Sequence, residues 1–163
     1  MDMKQAVEAK WVKETYAKLH GYYFEELEEG MEDAYTKTIT DAEVITFAGI
    51  SGDTNPVHLN HEFASETTFG GKIAHGMLTA SFISTVIGTK LPGPGCIYVS
   101  QNLRFKAPVK VGDTVTAVCT VTKKNPEKRM IEMDTVCSVG GTNVLEGQAT
   151  IMVPAKPVTL EDH

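Results

Sequence analysis

Asp53 and His58 are the residues of this 163-residue chain whose pairing would do chemistry. A carboxylate beside an imidazole can position one water molecule and move its protons, provided both groups reach it at hydrogen-bonding distance. Neither acts as a nucleophile in that arrangement. A separation of five would put them on different sides of a continuous helix, so they converge only through a turn. The residues between them supply one. Gly52 permits unusual backbone angles, Asn55 tolerates turn conformations and can hydrogen-bond its own loop, and Pro56 fixes its own φ while pushing Asn55 out of the helical region. An isolated Asp and His would read as a turn cap and a structural loop histidine; the turn residues reverse that balance.

His58, His61 and His75 raise a metal hypothesis, because His-x-x-His can bring two imidazoles to one ion. No third ligand pattern accompanies them, and Asp53 and His58 already have a role, so no metal is expected. His61 reads as an exposed helical residue and His75 as a residue that starts a helix or supports the site. Cys96, Cys119 and Cys137 are odd in number, lack Cys-x-x-Cys spacing and sit in strand-like runs, which points to reduced thiols.

The elements that must carry these residues follow from periodicity. Residues 2–19 have Met3, Val7 and Trp11 at a four-residue recurrence, predicting a short amphipathic helix in an N-terminal extension over 1–22. A single domain over 23–155 and a tail over 156–163 follow. Alternation over 34–39 predicts a first strand. Asp41 is the expected N-cap of a helix to about Ile50, and Asn60 of a second short helix. Residues 73–89 are apolar on nearly every helical face, so that helix must be enclosed. Four segments then alternate with period two: Ile97 to Phe105, Val115 to Val121, Ile131 to Cys137, and Leu145 to Val153. Pro, Gly and Asn in 108–113, 124–128 and 140–143 predict hairpin turns between them, and hence a meander.

The fold class expected is α+β: an antiparallel sheet wrapped around one long apolar helix, the hot-dog arrangement. Such a sheet leaves its edges exposed, and a homodimer or higher homo-oligomer would cover them. Composition agrees with a soluble globular protein, at 42% hydrophobic and 22% charged residues. A net charge of −6 without basic and aromatic clusters opposes nucleic-acid binding. No uninterrupted apolar stretch of membrane-spanning length occurs, and the first ten residues lack a signal-peptide pattern, so a cytoplasmic location without membrane contact is expected.

The segment FAGISGDTNPVHLNHEFA, residues 47–64, closely resembles the hydratase motif of the MaoC-like, (R)-specific enoyl-CoA hydratases. The resemblance runs through Phe47, Ser51-Gly52-Asp53, Asn55-Pro56-Val57-His58 and Ala64, and resumes at Ile73-Ala74-His75-Gly76-Met77-Leu78. Leu91-Pro92-Gly93 and the stretch from Gln101 to Pro108 extend it to roughly residues 23–153. It implies that Asp53 and His58 hold and activate water and that the Gly76 N–H forms an oxyanion hole. A glycine in the first turn of a helix has a free N–H at the positive end of the dipole, which supports that role. Such a donor is worth ~3–4 kcal/mol to a developing enolate. Asn55, Ser84 and Met77 are the expected substrate contacts, Ser84 because it matches a serine near the site of related enzymes. Arg104 and Lys106 could meet coenzyme A phosphates, although a solvated strand face accounts for them equally well.

The expected substrate is an acyl-CoA thioester, with no cofactor besides the coenzyme A it carries. Two other functions fit the same elements: a hot-dog thioesterase, with water directed at the carbonyl carbon, and a non-catalytic acyl-CoA binding module.

Overall fold

The computed structural model describes residues 11, 12 and 14–157. Of the helix expected over 2–19, residues 11, 12 and 14–17 are helical and 18–19 form a turn, whereas residues 2–10 and 13, like the tail beyond 157, lie outside the described residues. A 3-10 turn at Phe24–Glu26 leads into β1 (Glu32–Thr38), followed by α1 (Asp41–Ser51), α2 (Pro56–Leu59), α3 (His61–Ser65) and α4 (Gly76–Thr89). Four strands complete the chain: β2 (Ile97–Phe105), β3 (Thr114–Asn125), β4 (Met130–Val139) and β5 (Thr142–Met152).

All five strands form one antiparallel sheet in the order β1-β3-β4-β5-β2. α4 packs on β1, β3 and β4, which gives the α+β hot-dog arrangement. The period-two reading of β3 and β4 holds: Val115, Ala117, Cys119 and Val121 alternate inward, as do Ile131, Met133, Thr135 and Cys137. Together with Leu78, Phe82, Ile83, Val86 and Ile87 of α4 they form the core. The sheet also holds the helix by polar contacts, since the Cys137 thiol donates to Thr79 O at 3.7 Å and the Cys119 thiol lies 4.0 Å from Ile83 O. Burial pushes both thiols up to about 12, so they stay protonated and unreactive. All three cysteines are free.

Three expectations need correction. The strands do not form a meander, because β2 pairs with β5 and sits at the sheet edge. Residues 106–113 are therefore a crossover rather than a hairpin; their Pro and Gly encode a change of direction without naming the strand that follows. β2 is also not half-buried: Ile97, Val99 and Phe105 are 58%, 49% and 52% exposed in the single chain, as an edge strand allows. The N-cap of α1 is Thr40 rather than Asp41. Its hydroxyl accepts from Ala42 N–H, while the Glu43 carboxylate reaches back to Thr40 N–H at 2.8 Å in a reciprocal capping box.

Candidate active site

The turn from Ser51 to Val57 is built by one device used three times. Ser51 Oγ accepts from Asp53 N–H at 3.2 Å, Asp53 Oδ1 from Asn55 N–H at 3.2 Å, and Asn55 Oδ1 from Val57 N–H at 3.1 Å. Each side chain thus caps the backbone two residues on, the Asx- and Ser-turn chemistry that competes with regular structure. Gly52 ends α1 in the left-handed region at φ 78°, and Pro56 opens α2 at its first turn.

The turn brings Asp53 Oδ2 to 4.0 Å from His58 Nε2. That is too long for a direct hydrogen bond. The His58 ring is fixed from its other side, where Nδ1 lies 2.8 Å from Ile73 O. A carbonyl only accepts, so Nδ1 carries the proton and the Nε2 lone pair faces Asp53. The His58 side chain is 10% exposed and that of Asp53 53%, so the pair is enclosed on the imidazole side and open on the carboxylate side.

Ile73 is held in turn. Its N–H reaches Val57 O at 3.4 Å, it forms an isolated antiparallel bridge with Lys110, and Ala74 N–H donates to Val109 O at 2.7 Å. The crossover that sequence reasoning took for a hairpin is therefore the strap that sets the position of the His58 acceptor.

His75 is the site residue whose contacts sequence reasoning missed. It is the N-cap of α4 and is buried. Its Nε2 donates to Asp53 O at 2.9 Å, and its ring lies 3.8 Å from that of His58 and 5.0 Å from that of Phe47. His75 thus fixes the Asp53 backbone while packing against the other half of the pair. Its place directly before Gly76 was the available signal. Among the described residues the group with metal-ligand spacing is Asp53, His58 and His75, whose ligand atoms lie within 4.8 Å of one another, whereas His61, considered with His58 and His75 in the sequence, is exposed on α3. Two of the ring nitrogens already donate to backbone carbonyls.

Gly76 is the first residue of α4, so its N–H has no acceptor one turn back in the helix. The Phe105 ring covers this glycine: a Cβ there would come within 2.7 Å of the ring. A pocket of about 320 Å³ lies alongside, with Gly76, Phe105, Ile73 and Thr79 among its lining residues. A second, of about 380 Å³, runs between β1, α1 and α4 past Phe47, Leu78 and Phe82.

The other expected residues are more scattered. Asn55 sits beside Asp53, with its Oδ1 engaged in the cap of α2. Met77 is 56% exposed on the first turn of α4. Ser84 is exposed two turns further along and lines neither pocket. Arg104 is exposed on β2, and Lys106 pairs with Glu146 at 3.4 Å.

Comparison with known proteins places this geometry among relatives. A family model described as a MaoC-like domain matches residues 24–142. A Rhodospirillum rubrum protein named (R)-specific enoyl-CoA hydratase is 55% identical over 135 residues, covering 83% of this chain and 94% of that protein. A Methylorubrum extorquens protein named 3-hydroxybutyryl-CoA dehydratase is 48% identical over 134 residues, covering 82% and 85%. Among solved structures, the unliganded R-hydratase PhaJ1 from Pseudomonas aeruginosa superimposes with a TM-score of 0.80 at 40% identity, covering 86% of this chain and 97% of that one.

Proposed function

The chain belongs to the MaoC-like domain family, and on that premise we infer that it is an (R)-specific enoyl-CoA hydratase. It adds water reversibly across the double bond of a trans-2-enoyl-CoA to give the (R)-3-hydroxyacyl-CoA, and is thus a hydro-lyase. The observation that carries the mechanism is the 4.0 Å between Asp53 Oδ2 and His58 Nε2. Two acceptors at that spacing suit one water molecule that donates a proton to each and turns its lone pair outward.

Attack of that lone pair forms the C–O bond at the β-carbon, and the π electrons move onto the thioester oxygen as an enolate. The Gly76 N–H, at the positive end of α4, meets that charge. The dyad takes the proton released by water, a proton is added to the α-carbon, and the thioester carbonyl re-forms. Dehydration is the reverse. The chemistry calls on no cofactor beyond the coenzyme A of the substrate.

A homodimer is part of this reading. Its support is β2, an edge strand whose Ile97, Tyr98, Val99 and Phe105 side chains are all exposed in the single chain. An apolar edge of that kind is a template for pairing with a second copy.

The activity is tested by mixing the protein with crotonyl-CoA and following the conjugated thioester absorbance, then repeating the assay with longer enoyl-CoAs. Loss of absorbance with formation of 3-hydroxyacyl-CoA is expected. Release of free thiol without that product would mean thioester hydrolysis instead.

A further inference from the structure

The two halves of the dyad are not equally anchored. His58 is buried, and its ring is tied by Nδ1 to Ile73 O on the strap. Asp53 sits on an exposed turn whose hydrogen bonds are nearly all its own. Gly52 N–H reaches back to Ala48 O, Thr54 N–H to Gly52 O and His58 N–H to Asn55 O, while the three side-chain caps run between Ser51 and Val57. Bonds of that kind shape a turn and fix it to nothing beyond itself. Among the described residues, one hydrogen bond joins residues 52–56 to the distant framework: His75 Nε2 to Asp53 O at 2.9 Å.

His75 is firmly held. It is the N-cap of α4 and is 2% exposed, its carbonyl accepts from Leu78 and Thr79 N–H at 3.1 and 3.2 Å, and Ala74 N–H before it donates to Val109 O. Its ring packs on that of His58 at 3.8 Å and on that of Phe47 at 5.0 Å. One residue thus touches both partners of the dyad, the backbone that carries the carboxylate and the ring of the imidazole. The Asp53 carbonyl only accepts, so Nε2 carries the ring proton, and Nδ1 is left buried with no hydrogen-bond partner. A buried acceptor without a partner is costly. A phenyl ring would pack there without that cost, so packing does not account for the imidazole. What a phenyl ring lacks is the Nε2 proton.

We propose that His75 is a positioning residue for hydration: its Nε2–H holds Asp53 O while its ring backs His58, and together these contacts set the 4.0 Å opening between Asp53 Oδ2 and His58 Nε2. This rests on the hydratase reading. His75 acts through the dyad and needs no contact with substrate. One water can donate to both acceptors only while both stay within reach, and a displacement of about 1 Å breaks one of the two contacts. Loss of the His75 bond therefore falls on kcat and spares KM.

The test compares wild type with His75→Phe, which keeps a ring and deletes the donor, and with His75→Gln, which keeps an amide donor. His75→Phe is expected to lower kcat on crotonyl-CoA by roughly 10²-fold with KM changed less than about threefold, and His75→Gln to be faster than His75→Phe. In an Asp53→Asn background the same His75→Phe exchange should cost less than about threefold more, because the carboxylate it positions is already gone. An unchanged kcat in His75→Phe overturns the assignment. So does the full further loss in the Asp53→Asn background, or a His75→Gln no faster than His75→Phe. Nitrogen NMR of the wild-type imidazoles needs neither a variant nor turnover: a protonated Nε2 on His75 is expected, and a bare Nε2 ends the assignment. A wild type inert towards every enoyl-CoA would instead sink the hydratase reading, and the NMR result then keeps or ends His75 as the anchor of Asp53 by itself.

Discussion

Exchanging Asp53 for asparagine removes its charge and keeps its hydrogen bonds, which separates the chemical duty of the residue from its structural one. An asparagine oxygen can still accept from Asn55 N–H, and the backbone carbonyl still accepts from His75. Asp53→Asn should therefore fold and bind butyryl-CoA as wild type does, while hydration of crotonyl-CoA slows by ~10²–10⁴-fold. Steady-state kinetics beside a binding titration would check both halves. A fall in affinity as large as the fall in rate would assign Asp53 to binding. The pair was legible in the sequence because its geometry is local: the caps that create it all lie between Ser51 and Val57. The bond from His75 to Asp53 joins residues 22 apart, so it does not follow from spacing or residue type. Ser84 is expected from the resemblance and Met77 as a substrate contact, and in the single chain both are exposed.

Among the elements, α1 carries the carboxyl group whose titration the fold changes most clearly. Glu43 accepts from the Thr40 hydroxyl and from Thr40 N–H, and faces Lys37 Nζ at 3.1 Å; these contacts, the Thr40 bonds first, hold its pKa down to about 2. A carboxyl lowered by folding contributes stability that is complete above its unfolded pKa, near 4.5, and is lost as pH falls towards 2. Glu43→Gln can keep the cap but cannot titrate, so its urea midpoint should fall less between pH 5.5 and pH 3 than that of wild type. Parallel losses in the two proteins would show that the capping box does not couple to pH. The difference between expected and observed elements has a common cause. Alternation identified β3 and β4 because both are flanked by strands and face α4, whereas turn residues in 108–113 marked a bend and left open which strand β2 would join.

At the scale of the molecule, β2 ends the sheet with apolar side chains facing outward, and pairing with a second copy would extend the sheet through it. Wild type is expected to sediment as a dimer and Val99→Asp to shift towards monomer, with the secondary structure of both unchanged by circular dichroism. A wild type that sediments as a monomer at every concentration would end that reading. The strap between the crossover and the site has a different consequence. Ala74 is buried, and its amide is spent on Val109 O at 2.7 Å, so the acceptor that aligns His58 cannot swing away without opening the periphery of the sheet. The imidazole half of the dyad is thus as slow to rearrange as the framework itself. Entry and exit of water and substrate fall to the exposed side of Asp53, and on heating, catalysis should persist until the fold itself gives way.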